Sequence, residues 1–558
     1  MMSFVAGPTD RPLRELTIGA AIASAVASWG DRLALIDRGQ NVRLTWEEIG
    51  ERATALSAGL LTLGLRPGDR IGIWALNRVE WALTQFAAAK AGIILVTINP
   101  AYRLAELEYA LQQSGCSAII FSPPFKSSDY PAMVAELLPE LGRQGSLRSV
   151  RVPLLRHVIQ MGEATLPGAH AFADVETLGR NHGRDLLDDI ERSLRPDDPI
   201  NIQYTSGTTG APKGVTLSHR NLLNNGYFVG DSIRLGPADR LCIPVPLYHC
   251  FGLSMGNLAC VNHGAVIVYP GEGFDPLATL EAVAVERCTA LYGVPTMFIA
   301  QLDHPRFKEF DLTSLRTGIM AGSPCPIEVM RRVVERMHLG EITIAYGMTE
   351  TSPVSFQSGI DDPLEVRVGT VGHVHPHVEA KIIDAHGAVV PRGVAGELCT
   401  RGYMVMLGYW NNPQQTAAAK DAEGWMHSGD LATISEDGLC NIVGRLKDMV
   451  IRGGENLYPR EIEEFLYRHP AIRDVQVFGV PDARYGEELC AWVIIHDGDA
   501  LSEDAVRDFC RGKIAHQKVP RYVRIVDAFP MTVTGKPQKF VMREVMTQEL
   551  GLTAPATA

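Results

Sequence analysis

Short apolar runs without polar alternation recur along this chain, each followed by a stretch with helical spacing. Runs at 71–76, 93–98 and 118–121 alternate with helical patterns at 81–91 and 106–113. The alternation returns at 265–269, 290–292 and 342–345, with helical patterns at 277–286 and 327–337. A run that is apolar at every position has both faces buried, which suits a parallel sheet covered by helices on either side. The pattern therefore predicts βαβ units and a mostly parallel sheet. Residues 13–90 read as helices with one strand. Thr45, with Glu48 three residues on, has the form of a capping box at a helix start. Residues 16–29 read as an amphipathic helix rather than a short leader peptide. Residues 122–195 read as surface loops around one strand at 157–160.

From about 366 the pattern changes to short strands with tight turns, at 379–383, 396–400, 431–434 and 440–443. Asp437-Gly438 is a strong hairpin signal. This predicts a small antiparallel sheet or barrel. After Gly444-Arg445 comes a compact α+β unit, with helices at 461–468 and 505–514 and strands at 475–480, 490–495 and 522–526. Pro459 suits the first turn of its helix. The tail from 552 reads as disordered.

At 558 residues the chain is too long for one core, so several domains are expected. The expected fold class is α/β: a large N-terminal domain (1–446) of parallel-sheet βαβ subdomains and a small β-barrel-like subdomain. A small mobile α+β C-terminal domain (447–558) follows. The net charge of −12 disfavours nucleic acid as a partner. No apolar run is long enough for a transmembrane segment. The ten cysteines form no Cys-x-x-Cys pair and sit among apolar neighbours, as reduced, buried thiols of a cytoplasmic protein would.

The chemistry concentrates in five segments. In Thr205-Ser206-Gly207-Thr208-Thr209-Gly210-Ala211-Pro212-Lys213, hydroxyls, glycines and one cation replace core-forming residues. Outward N–H groups, short hydroxyl donors and a lysine suit a polyphosphate. The spacing is not that of a Walker A loop, and the same composition also describes a flexible linker. Next, Ala321-Gly322-Ser323 and Tyr346-Gly-Met-Thr349-Glu350 lie at strand ends, where open parallel sheets bind ligands. Gly322 lets a flat ring approach the backbone, Tyr346 offers a stacking face, Thr349 a phosphate donor and Glu350 a hard oxygen for Mg²⁺. An ordinary turn is the alternative. Asp430, after Ser428-Gly429, suits a ribose diol, or equally an Asx-turn opening the next strand. Arg445 and Lys447, with Arg452-Gly453-Gly454 beyond, form a charged strip between the β-rich region and the last unit. Lys536, between Gly535 and Pro537, is a charge with little freedom.

In this order and over nearly the whole chain, these segments resemble the adenylate-forming acyl-CoA synthetase superfamily. Leu247-Tyr-His-Cys-Phe-Gly252 and Ile451-Arg-Gly-Gly-Glu-Asn456 look most like its medium-chain fatty acid branch. The resemblance implies ATP, Mg²⁺ and coenzyme A as cofactors. It implies activation of a fatty acid through acyl-AMP to acyl-CoA, releasing AMP and pyrophosphate. Residues 205–213 would hold the β- and γ-phosphates; Ala321 to Ser323 and Tyr346 would sandwich adenine. Thr349 would contact the α-phosphate, Glu350 the Mg²⁺, and Asp430 with Arg445 the ribose. Lys536 would bridge carboxylate and α-phosphate, and His249 would gate the acyl pocket. Lys447 falls at the hinge, where many relatives have Asp. The Arg452-Gly453-Gly454 strip would face the site for thioester formation. Tyr248, Phe251, Val294, Met297 and Phe298 lie in segments expected to line the acyl pocket, with core packing an even alternative for the last two. Dimers are common among such proteins, so a homodimer is implied. Ligases of aryl or other carboxylates, and acyl-AMP ligases that load a carrier protein, share these motifs.

Overall fold

The computed structural model describes residues 1–143, 147–205, 212–323, 325–446, 448–452, 455–482, 484–532 and 536–552. Two large sheets form around one shared core. In the first, Pro199–Thr205, Ile94–Thr97, Arg70–Trp74, Ala118–Phe121, His157–Gln160 and His170–Ala171 run parallel, in that spatial order. In the second, Glu341–Gly347, Thr317–Ala321, Ala290–Gly293, Arg240–Cys242, Val266–Tyr269 and Leu33–Asp37 do the same. Ile71, Ile73 and Leu95 of one sheet share a continuous apolar cluster with Leu241, Ile267 and Tyr292 of the other. Trp46, Trp81 and Phe86, all fully buried, fill the layer between them. The all-apolar runs thus mark doubly covered strands, as their composition requires.

Helix ends follow local chemistry. Thr17 accepts the Ala20 N–H to start Ile18–Trp29, and Thr45 with Glu48 closes both halves of its capping box on Trp46–Thr62. Ser218 and Asn221 do the same for His219–Ser232. Gly92 and Gly115 end their helices in the left-handed conformation.

The third sheet is antiparallel, in the order Phe4–Ala6, Val378–Ile383, Gly396–Gly402, Met426–Ile434, Cys440–Arg445. Gly438, at φ +85°, makes the hairpin between the last two. A fourth sheet holds Val450–Arg452, Glu455–Leu457, Ile472–Asp482, Gly486–Ile495 and Tyr522–Ile525, with Pro459–Leu466 packed on it and Pro459 in the first helical turn. The predicted α/β class, the antiparallel region and the terminal α+β unit are all present.

Two readings need correction. Residues 13–90 contain three strands, because Leu33–Asp37 and Val42–Thr45 form a hairpin on the edge of the second sheet. Residues 122–195 are more ordered than loops: Tyr130–Leu137, Phe172–Asn181 and Arg184–Ser193 are helices, each burying a few apolar side chains, among charged ones in the last two. A strand at Phe4–Ala6 and a helix at Lys539–Glu549 had no counterpart in the pattern. The expected disorder of the tail falls on 553–558, outside the described residues.

Candidate active site

The two strands that flank residues 206–211 form a β-hairpin. Pro199–Thr205 pairs antiparallel with Lys213–Ser218, Thr205 opposite Lys213, and the second strand pairs in turn with Gly408–Tyr409. Ser206, Gly207, Thr208, Thr209, Gly210 and Ala211 lie outside the described residues. The Pro212 carbonyl accepts a bond from the Tyr109 hydroxyl at 3.1 Å. The Lys213 ammonium sits 4.9 Å from the centre of the Tyr409 ring, a cation–π contact that holds it at the strand's start.

The second sheet presents Gly322, Ser323, Tyr346, Thr349 and Glu350 at the ends of two of its strands. Gly322 follows Thr317–Ala321 with φ +91°, where a side chain would be strained. A Cβ there would meet Val294 at 3.2 Å and the Lys536 Cε at 3.8 Å. Ser323 stands next to it. Tyr346 ends Glu341–Gly347, and its hydroxyl donates to Asp430 Oδ2 at 2.6 Å. Thr349 and Glu350 form a buried 3₁₀ turn. Glu350 Oε1 accepts the Tyr409 hydroxyl at 2.9 Å. Burial pushes the Glu350 carboxyl above its ordinary range, against the pull of Tyr409 and the charges of Lys213 and Arg445.

The third sheet contributes Asp430 and Arg445, cross-strand partners whose side chains meet at 3.1 Å between Arg445 Nε and Asp430 Oδ1. Half of the Arg445 side chain stays exposed. Asp430 is thus gripped from two sides, by a phenol and a guanidinium.

Lys536 comes from the fourth-sheet unit. Its amide N–H bonds Thr532 Oγ1 at 3.0 Å, its carbonyl accepts the Thr532 N–H at 2.8 Å, and Met531 bridges to Pro537. The lysine's backbone is therefore fixed to Thr532, and the residue is partly buried rather than loosely exposed. Burial and the charge of Arg445 lower its ammonium to about 8, against the opposing pull of Asp430 and Glu350. His249 faces the same charge: burial first, then Lys536, lowers its imidazole to about 3, so it is neutral in the working range. Just after it, Phe251–Leu258 is a π-helix, whose wider turn re-aims side chains from those of an α-helix. The unit docks through Arg460, whose guanidinium donates to the Ile442 carbonyl at 2.7 Å.

The structure thus brings Lys213, Gly322, Tyr346, Glu350, Asp430, Arg445, His249 and Lys536 to one cleft. Arg452 is elsewhere. It pairs with buried Glu488 and lies 4.2 Å from the centre of the Tyr485 ring, turned onto its own unit rather than toward the cleft. Lys447, Gly453 and Gly454 lie outside the described residues. Of the expected pocket residues, Phe251, Val294 and Met297 join the core cluster behind the cleft, with Tyr248 packed against it. Phe298 packs in the other cluster, under Gly293, and is a core residue. Two contributors went unnoticed in the sequence, Tyr409 and Glu397. Neither lies in a Gly-rich or charged motif, and only the pairing of distant strands gives them a role.

Strand ends of the second sheet, faced by Asp430 and Arg445 of the third and by Lys536 of the small α+β unit, form an arrangement shared with adenylate-forming enzymes. The family model of the AMP-binding enzymes matches residues 22–410, and that of the AMP-binding enzyme C-terminal domain matches residues 461–536. The chain belongs to the AMP-binding enzyme family. It is 48% identical over 541 residues to YngI of Bacillus subtilis (strain 168), covering 96% of this chain and 98% of that one. It is 44% identical over 557 residues to the mitochondrial medium-chain acyl-CoA ligase ACSF2 of Danio rerio, covering 99% and 91%. Among solved structures, the anthranilate CoA ligase AuaEII in complex with anthranoyl-AMP superposes with TM-score 0.86 at 25% identity, covering 98% of this chain and 99% of that one.

Proposed function

We propose that this chain is a fatty acid–CoA ligase with a medium-chain preference, working through acyl-AMP. One observation carries the reading. The Lys536 Cε lies 3.8 Å from the point where a Cβ on Gly322 would stand, among Arg445, Asp430 and Glu350, where carboxylate and α-phosphate would meet. In the first step a carboxylate oxygen bonds to the α-phosphorus of ATP and the bond to pyrophosphate breaks. Negative oxygens converge there, and a positioned cation such as Lys536 offsets that repulsion by about 3 kcal/mol. Lys213 and the 205–212 segment would hold the departing pyrophosphate. Gly322, Ser323 and Tyr346 would hold adenine, and Asp430 with Arg445 the ribose. Thr349 would reach the α-phosphate.

Glu350 fits a Mg²⁺ ligand: it is a buried carboxylate whose charged form is disfavoured by burial, so a cation there would offset that cost. When bound, the metal supplies charge neutralisation at the phosphates. Neutral His249 would act as a wall of the acyl pocket rather than as a charge. In the second step the CoA sulfur bonds to the acyl carbon, the carbon–oxygen bond to AMP breaks and the thiol proton passes to solvent. AMP leaves readily, so little base assistance is required.

The boundary would fall at 446/447, with 1–446 and 447–558 as the two bodies. Turning the second about Lys447 would bring the Arg452 strip to the site for the thiol step. Buried, free thiols throughout support a reducing, cytoplasmic setting. A homodimer is part of the proposal and is read by sedimentation.

Pyrophosphate release, measured over straight-chain acids from acetate to palmitate and over benzoate and anthranilate, tests the reading. Medium-chain acids should give the highest kcat/KM, with AMP formation dependent on CoA. Preference for an aryl acid, or thioester formation only on a carrier protein, would replace it.

A further inference from the structure

Opposite Leu398 the antiparallel ladder is out of step. Glu397 pairs with Leu431 and Cys399 with His427, so Ser428, Gly429 and Asp430 all face the single residue Leu398. This bulge leaves Asp430 with no partner on the Gly396–Gly402 side, while it keeps Arg445 as its partner on the other and bonds Tyr346. Gly429 occupies it at φ +68°. Ser428 Oγ closes it from within, donating to the Leu398 carbonyl at 2.6 Å and accepting the Asp430 N–H at 3.0 Å. Glu397 closes it from the flank. Its Oε1 accepts the Gly429 N–H at 3.1 Å, and its Oε2 accepts from His427 Nδ1 at 3.2 Å. The Gly429 carbonyl accepts the Leu446 N–H at 3.0 Å, which ties the bulge to the residue after Arg445.

The geometry points to Glu397 as a positioning residue for the nucleotide: its carboxylate fixes the Gly429 peptide, and so sets the angle at which Asp430 meets the ribose. The inference rests on the assignment of Asp430 to the ribose. It requires an acceptor at Gly429 and not a charge. Glutamine meets that requirement, because its carbonyl can accept from Gly429 while its amide donates to His427 in the other tautomer. Alanine leaves the Gly429 N–H unpaired. Aspartate keeps the charge but is one methylene short.

The test compares kcat/KM for pyrophosphate release with ATP and with 2′,3′-dideoxy-ATP, which lacks both hydroxyls, in the full chain. Each variant's fold is checked by thermal melting. Glu397→Ala should shrink the preference for ATP about tenfold, the worth of one well-placed hydrogen bond, while leaving dideoxy-ATP nearly unchanged. Glu397→Gln should restore the preference to within about twofold. Glu397→Asp should behave as alanine does, and gives the same reading if the alanine variant does not fold. Adding Glu397→Ala to Asp430→Ala should shrink the preference no further, because the two residues act in series. Equal losses with both nucleotides, or no loss, in the alanine and aspartate variants overturn the inference. If Asp430→Ala itself leaves the preference intact, the ribose assignment fails and the inference falls with it. If Asp430→Ala abolishes the preference and the Glu397 variants do not touch it, only the inference fails.

Discussion

Replacing Lys536 by arginine separates two properties that lysine combines, a positive charge and the ability to lose it. In the docked arrangement the Lys536 ammonium is lowered from 10.5 to about 8. That displacement corresponds to roughly 3 kcal/mol, or about 2 kcal/mol after discounting for the part of the side chain that still meets water. The sign is fixed by proton counting. Between about 8 and 10.5 the docked form binds fewer protons than a form with Lys536 in solvent, so docking becomes easier as pH rises through that window. Below about 8 the empty site carries the full cost, which the negative charges of ATP and carboxylate then offset. Catalysis runs the other way, because it needs the charged form. For acyl-AMP formation, kcat/KM of the free enzyme should therefore fall about tenfold per pH unit above about 8. In Lys536→Arg the guanidinium stays charged, so this limb should vanish, though misplacement lowers the rate at every pH. In Lys536→Ala acyl-AMP formation should drop about 10²–10³-fold, with thioester formation from supplied acyl-AMP largely spared. Stopped-flow pyrophosphate release from pH 6 to 10 reads acyl-AMP formation in all three proteins, and AMP release from supplied acyl-AMP and CoA reads the thioester step. A flat wild-type profile to pH 9.5, or an alkaline limb that persists in the arginine variant, refutes the reasoning.

Three other variants probe the remaining parts. Tyr409→Phe removes the hydroxyl on Glu350 and should raise the Mg²⁺ concentration needed for half-maximal pyrophosphate release about five- to tenfold, the effect of about 1 kcal/mol; an unchanged Mg²⁺ titration argues against it. Gly322→Ala adds a Cβ in a left-handed backbone position, close to Val294, and should raise KM for ATP by about tenfold through some 1–2 kcal/mol of strain, read by steady-state kinetics. Glu286, almost wholly buried, takes Arg43 at 2.7 Å and Arg38 at 3.1 Å, with Arg240 at 3.8 Å; these arginines keep contact with water, so Glu286→Ala should cost about 1 kcal/mol, seen as a lower midpoint in urea unfolding.

What the sequence disclosed depended on how local the signal is. Strands at 118–121 and 157–160 and the capping box at Thr45 are legible because composition and spacing act over a few residues. Lys536, Asp430 and Glu350 are legible because a charged or hydroxyl-bearing motif stands out against apolar neighbours. The helices at Phe172–Asn181 and Arg184–Ser193 were hidden by their charge: each buries one stripe, and most of their length is solvated. Phe4–Ala6 is three residues long and gains its order from Val378–Ile383, far along the chain. Tyr409 and Glu397 acquire their places only from cross-strand pairing. The direction of Arg452 is set by Glu488 and Tyr485, which no local pattern connects to it.

The ten cysteines, all free and all buried, give the folded chain a chemical silence. A maleimide should find nothing to react with until some part of the protein opens. Each labelled position would then report the free energy of the opening that exposes it. Cys325 is the most telling of them, because its thiol lies within the electrostatic reach of Arg460 and Glu464, on the helix by which the small unit docks. Its labelling rate, followed with and without nucleotide by mass spectrometry, would report any opening of that contact, with no added probe and no substitution.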